Sequence, residues 1–100
     1  MPYRPKTVAE FIRLLELASP LSGAEEFQQE DREEIDALFN GLHFGLDHVA
    51  ASFGDAQVVQ DLRTKIDRAW ELYYQGDRPR VDEGGALLLQ VEQYARKLLS

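Results

Sequence analysis

The chain has 100 residues, no cysteine and a net charge of −7. This length allows one domain with a single modest core, and the lack of cysteine excludes disulfides and thiolate chemistry. The acidic balance argues against direct nucleic-acid binding, and no apolar run approaches the roughly 20 residues of a membrane span, so we expect a cytoplasmic protein.

A first helix is predicted over residues 7–18. Thr7 and Glu10, in "TVAE", have the spacing of a capping box, and the helix should stop before Ser19-Pro20. Leu14 and Leu17 widen its apolar stripe beyond one face. We therefore expect this helix to be buried on two sides, either by its own bundle or by another chain.

A second helix is predicted over residues 30–53. Its apolar residues recur at three- and four-residue steps, with Phe39 at the edge of the stripe. Gly54 suits the left-handed conformation that ends a helix, and Asp55 should cap the next one. The inward stripe consists of Ile35, Leu38, Leu42, Leu46, Val49 and Phe53.

Two further helices are predicted over residues 56–75 and 82–99, with Gly76 closing the third helix and Asp82 capping the fourth. Nothing in the chain is typical of a strand. The sequence therefore predicts one all-α domain, residues 1–100, built as a four-helix bundle with an extended segment at residues 1–6. The inward positions of the last two helices are Val59, Leu62, Ile66, Ala69, Trp70, Tyr73, Leu87, Leu88, Val91, Tyr94, Ala95 and Leu98.

Most of the negative charge lies in "EEFQQEDREEID", residues 25–36, which has seven acidic residues and one arginine. Acidic residues in a first helical turn complement the helix dipole. That explanation does not cover Glu25 and Glu26. A second interpretation is that these two residues and Glu30 form a docking patch for a basic protein surface.

The stretch "FNGLHFGLDHVA", residues 39–50, contains both histidines. His43 and His48 are five residues apart and point about 140° away from each other on a helix, so they cannot share a metal ion. His43 does align with three other polar residues, and we interpret this row as the water-facing side of the second helix. The row consists of Asp36, Asn40, His43 and Asp47.

Two glycines inside the same predicted helix indicate a packing seam. Gly41 and Gly45 each cost about 1 kcal/mol relative to alanine, so close packing should compensate for them. The seam, defined as Ala37, Gly41, Gly45 and His48, would admit another helix or the rings of the third helix. That helix could belong to this chain or to another, and packing within the chain is favoured because a small domain needs its contacts.

The stretch "AWELYYQGDRPR" contains a candidate binding surface. Tyr74 lies off the inward stripe, near Arg78 and Arg80, and tyrosine with arginine is favoured at protein interfaces. Leu89 lies on the polar side of the fourth helix. We predict that these four residues, with Leu14, Leu17, Glu25, Glu26 and Glu30, bind a protein partner.

Two stretches, "AEFIRLLELA" and "YYQGDRPRVDEG", resemble the colicin and pyocin nuclease-immunity proteins. That resemblance implies a toxin inhibitor in which Tyr73 and Tyr74 are binding residues. In overall character, an acidic helical chain without cysteine, the protein also resembles small bacterial anti-activators of LuxR-type quorum-sensing receptors. Both resemblances imply inhibition by occupying a protein surface.

Elimination points in the same direction. No phosphate-binding glycine loop, serine-nucleophile setting or set of metal ligands is present, so we expect no enzyme activity and no cofactor. We predict a homodimeric binding protein that sequesters a protein partner, with a transcription regulator as first choice. A toxin-immunity protein, a structural subunit of an assembly and a metal-dependent enzyme remain alternatives.

Overall fold

The computed structural model describes residues 3–18, 32–75 and 77–99, where all regular secondary structure is α-helical. The four helices of this part of the chain are α1 (Val8–Ala18), α2 (Arg32–Phe53), α3 (Ala56–Gln75) and α4 (Arg78–Lys97). The predicted all-α bundle is therefore confirmed.

α1 begins where the capping box predicts. Oγ1 of Thr7 accepts a hydrogen bond of 3.1 Å from the N–H of Glu10. The carboxylate of Glu10 in turn accepts one of 3.1 Å from the N–H of Lys6, and this bond is the main reason that the pKa of Glu10 is lowered. The two bonds fix the path of the chain into the helix.

α2 and α3 are separated by only two residues. Gly54 has a φ of 70°, the left-handed conformation that commonly ends a helix. Oδ1 of Asp55 accepts a hydrogen bond of 2.8 Å from the N–H of Gln57, as expected of a cap. The predicted start of the second helix at Glu30 and the predicted role of Gly76 lie outside the described residues.

The start of α4 corrects the prediction. The helix begins at Arg78 rather than at Asp82, and Asp77 is its N-cap residue. The carbonyl oxygen of Asp77 accepts a hydrogen bond of 3.0 Å from the N–H of Val81. Pro79 fits this first turn because its fixed φ is helical and it needs no N–H partner there. The predicted loop is thus the first turn of the helix.

The four helices pack in a ring. α1 packs on α2 and α4, and α3 packs on the same two helices. Across the diagonal, the hydroxyl of Tyr73 on α3 donates a hydrogen bond to the backbone of Ala18 on α1. The radius of gyration is 12.8 Å, close to the roughly 13 Å expected for 100 residues. Each helix therefore keeps one outer face that no other described helix covers.

The buried side chains among the described residues are apolar or aromatic, and the buried hydroxyl of Tyr73 is hydrogen-bonded to the backbone of Ala18. Phe39, predicted at the edge of its stripe, is fully buried, while Trp70 is only half-buried. The prediction that Tyr94 and Leu98 point inward is wrong, since they are 38% and 36% exposed. At about 100° per residue, Tyr94 lies about 60° around α4 from Val91, on the side away from Leu88 and Ala95. Leu98 follows the last residue of the helix. The buried residues of α4 are Val81, Gly84, Gly85, Leu88, Val91 and Ala95.

Candidate partner-binding surface

The glycine seam of α2 packs within the chain. A Cβ at Gly41 would lie 2.6 Å from Cβ of Tyr3 and 3.0 Å from its carbonyl oxygen, and one at Gly45 would lie 2.6 Å from Cγ of Pro5. Side chains of α1 close the other side of the seam. The residues that fill it therefore come from the N-terminal segment and α1, and not from the rings of α3 that the sequence suggested.

The two ends of the predicted seam behave differently. Ala37 is half-buried, but His48 is exposed and its ring centroid lies 4.2 Å from that of Phe44. Nδ1 of His48 lies 3.1 Å from the carbonyl oxygen of Phe44. His48 therefore packs along its own helix, and the close approach is confined to Gly41 and Gly45.

Polar contacts attach the N-terminal segment to α2. The hydroxyl of Tyr3 donates a hydrogen bond of 2.5 Å to Oε1 of Glu34, and this bond is the main cause that raises the pKa of Tyr3. The guanidinium of Arg4 lies 5.3 Å from the ring centroid of Phe44. The segment thus covers the glycine positions that would otherwise leave the α2 backbone open to another helix.

The polar row on α2 faces water only in part, because most of it pairs with α3: Asn40 and Asp47 are exposed, whereas Asp36 and His43 are half-buried. Nε2 of His43 lies 2.7 Å from Oδ1 of Asp67, and Arg63 donates a hydrogen bond of 2.5 Å to Oδ1 of Asp47. Nη1 of Arg63 also lies 3.4 Å from Nδ1 of His43. Because a guanidinium can only donate, Nδ1 accepts and Nε2–H donates to Asp67. The row borders α3. Of its four members, only Asn40 makes no polar contact with a side chain of α3.

Asp36 forms the other end of this row. Its Oδ1 accepts a hydrogen bond of 3.2 Å from the indole N–H of Trp70 and a second bond from the hydroxyl of Tyr74. Trp70 also stacks on Phe39, with ring centroids 5.4 Å apart. The bond to Asp36 is the main cause that raises the pKa of Tyr74. One carboxylate thus holds two aromatic residues of α3.

The row has no metal-site geometry in the residues that the structure describes. No group of three or more histidine, aspartate or glutamate side chains there converges on a point that a metal ion could occupy. His43 makes contacts with one carboxylate and one guanidinium, and the guanidinium is not a metal ligand. The contacts of the row therefore join two helices.

The candidate leucines separate into two groups. Leu14 is 5% exposed and packs against the position of Gly41, so the expectation that it contacts another chain is wrong. Leu17 and Leu89 are 59% and 43% exposed. Leu14 differs from Leu17 because it lies on the side of α1 that faces the seam, whereas Leu17 points away from the core.

The predicted tyrosine and arginine cluster lies where α3 ends and α4 begins. Tyr74, which is 39% exposed, and Arg80 line one groove of about 260 Å³. Arg78 is exposed on the first turn of α4, with Nε 4.0 Å from Oδ2 of Asp82. The acidic candidates Glu25, Glu26 and Glu30 lie outside the described residues.

Sequence reasoning missed the α3 side of these contacts. Arg63, Asp67 and Arg68 were not singled out, although the first two are four residues apart on one face of the predicted third helix. A short link between α2 and α3 predicts antiparallel neighbours, and this would have placed Arg63 near Asp47 and Asp67 near His43. Arg68, which lines the groove, has no such sequence signal.

In comparisons with known proteins, no family model, no curated protein and no solved structure matches this chain. Among the described helices, none is long and apolar enough to cross a membrane. The chain is a four-helix bundle with a purely apolar and aromatic described core and several exposed apolar side chains.

Proposed function

We propose that this protein is a non-enzymatic binding protein that inhibits a protein partner by occupying its surface, and that the partner is a transcription regulator. One observation carries the proposal: large apolar side chains are exposed on α1, on α4 and just after the end of α4, although the bundle already has an apolar core. Exposed apolar side chains are typical of interaction sites where they form a contiguous patch. The exposed apolar residues are Leu17, Leu89, Leu98 and Leu99, with Tyr74 and Tyr94 as exposed aromatic residues.

The chemistry of the described surface supports binding over catalysis. The described histidines make contacts with an aspartate, an arginine and a backbone carbonyl, and each is accounted for by helix packing. The buried hydroxyl of Tyr73 donates a hydrogen bond of 2.7 Å to the carbonyl oxygen of Ala18, which is a structural use. We propose a transcription regulator as the partner because of the resemblance to the anti-activators.

The test is affinity capture followed by reconstitution. Immobilised wild-type protein and the variants Leu17→Glu and Leu89→Glu are exposed to native-cell extract, with Gln60→Glu as control because it adds the same charge at an exposed helical position of α3. We expect the wild type and Gln60→Glu to retain a regulator that the leucine variants bind at least about tenfold more weakly. The purified regulator should lose DNA binding when the wild type is added.

Other outcomes contradict the proposal. A captured regulator that keeps full DNA binding in the complex would exclude inhibition by surface occupation. A captured nuclease toxin that is inactivated by this protein would assign the immunity alternative instead. Proteins retained equally by all four forms would show that the exposed leucines do not form the binding surface.

A further inference from the structure

A small groove with two arginines lies between the end of α3 and the start of α4. Its volume is about 260 Å³, which is enough for one or two side chains rather than a helix. Leu72, which is buried, contributes to its floor. We call it the arginine groove, defined by Arg68, Glu71, Leu72, Tyr74, Gln75 and Arg80.

Both guanidinium groups are accessible. Arg68 and Arg80 have side chains 58% and 56% exposed, and each pairs with a carboxylate three residues away on or next to its own helix. The distances are 3.2 Å to Glu71 and 3.1 Å to Asp77. Exposed pairs of this kind contribute little to stability, so an incoming carboxylate can replace them at low cost.

The aromatic side of the groove is held in place. The hydroxyl of Tyr74 donates to Asp36, and the guanidinium of Arg32 lies 5.5 Å from the centroid of the Tyr74 ring. The ring therefore has contacts at its hydroxyl and on a face before any partner arrives. Such preorganisation reduces the entropy cost of binding.

The groove presents positive charge in an acidic chain. Two arginines and one glutamate are among its lining residues, and Asp77 pairs with Arg80 beside it, whereas the whole chain has a net charge of −7. The two arginines are therefore balanced by two local carboxylates, which an incoming carboxylate has to displace.

We propose that the arginine groove binds an acidic side chain of the protein partner. The carboxylate would accept hydrogen bonds from Arg68 and Arg80, which project from different helices, and its aliphatic stem would lie against Tyr74 and Leu72. Hydrogen bonds from guanidinium to carboxylate are stronger than those between neutral groups. This inference rests on the proposed function, because it names the chemistry of that partner's surface.

The experiment is a titration of the full-length protein with a blocked tetraglutamate peptide, followed by nuclear magnetic resonance of the arginine Nε–Hε signals. We expect the signals of Arg68 and Arg80 to shift in a saturable manner. Arg68→Gln and Arg80→Gln should each weaken binding by about two- to fivefold. Arg13→Gln is the matched control, because it removes the same charge from an exposed position on α1.

Glu71→Gln makes the test sharper. Removal of the competing carboxylate should strengthen tetraglutamate binding by about two- to fivefold, because Arg68 no longer has to leave Glu71. Weaker binding in Glu71→Gln, or shifts confined to arginines outside the groove, would overturn the inference. Equal binding of inorganic phosphate at the same concentration would also overturn it, since the groove would then select negative charge alone.

The groove and the proposed function can fail separately. If capture yields an inhibited regulator that the double variant Arg68→Gln/Arg80→Gln binds as tightly as the wild type, the groove inference is wrong and the function stands. If tetraglutamate binds the groove as described but no captured protein is inhibited, the proposed function is wrong and the groove inference stands.

Discussion

Nε2 of His43 on α2 lies 2.7 Å from Oδ1 of Asp67 on α3, so a histidine and an aspartate join two antiparallel helices directly. The pair is part of a line of polar contacts that extends from Asp47 to Asp36 along α2. These contacts lie beside the apolar core and are partly accessible to water. They align the two helices without requiring a buried charge.

We predict that the pair between His43 and Asp67 contributes modestly to stability. His43→Ala should lower the free energy of unfolding by about 1 kcal/mol, because it removes a partly exposed hydrogen bond and a contact with Trp70. A double-mutant cycle with Asp67→Ala, followed by urea unfolding, should give a coupling energy of no more than about 1 kcal/mol.

His48→Ala is the control for this cycle, because His48 is exposed on the same helix. It should change stability by less than about 0.5 kcal/mol. The purified protein should contain no stoichiometric zinc or iron. One equivalent of metal that is lost in His43→Ala would contradict the helix-pairing interpretation of this residue.

A second prediction concerns the close approach at Gly41. Gly41→Ala should lower the free energy of unfolding by about 1–3 kcal/mol, although alanine is the better helix former, because its Cβ would lie 2.6 Å from Cβ of Tyr3. Thermal or urea unfolding measures the loss. In a Tyr3→Gly background the same substitution should be less damaging, since the nearest clashing atom is gone. An equal loss in both backgrounds would mean that the N-terminal segment does not pack on the seam.

Alkaline pH should weaken the fold through Tyr73. Burial, with a smaller contribution from Asp82, raises the pKa of Tyr73 above its ordinary value of 10.0. The folded state therefore keeps this proton at pH values where the unfolded chain has released it. The stabilisation is complete below about pH 10 and declines as the pH rises above it.

Tyr73→Phe tests this effect. The variant should lose about 1 kcal/mol near neutral pH, because the hydroxyl no longer donates to Ala18, and its stability should fall less steeply above about pH 10. Urea unfolding at a series of pH values gives both quantities. The same alkaline slope in the variant and the wild type would exclude Tyr73 as the source.

The fourth prediction is that the protein forms a homodimer through its exposed leucines. Leu17→Glu or Leu89→Glu should shift the protein to monomer in sedimentation equilibrium while its helical circular dichroism persists. Leu14→Glu should instead unfold much of the protein, because it would place a charge in the core. A wild type that is monomeric at about 100 μM, which corresponds to roughly 5.5 kcal/mol of association, would refute the dimer.

Helix positions were largely determined by local sequence. The capping box at Thr7 and Glu10, and the left-handed glycine before Asp55, act through bonds between residues at most four apart. Local bonds of this kind can be recognised without knowing what lies across the bundle. α4 was the exception, because Pro79 is compatible both with a loop and with a first helical turn.

Which residues on the helix surfaces become buried depended on tertiary structure. Sequence periodicity places Leu14 and Leu17 on neighbouring sides of α1, but only the position of α2 buries the first and leaves the second exposed. The same applies to His43, whose row borders the apolar stripe and would face water if α3 were absent. Side-chain direction follows from the helix itself, whereas the partner on that side is set by how the helices are arranged.

The sequence by itself determined the all-α class, the bounds of the first and third helices, most of the core, and the existence of a glycine seam in α2. Only the tertiary structure decided that Tyr3 and Pro5 cover the seam, that most of the polar row pairs with α3, and that Arg68 and Arg80 line one groove. The physical reason is the sequence separation of the interacting residues. Caps and periodicity depend on neighbours within a few residues, whereas these contacts join residues that are brought together only when the helices pack.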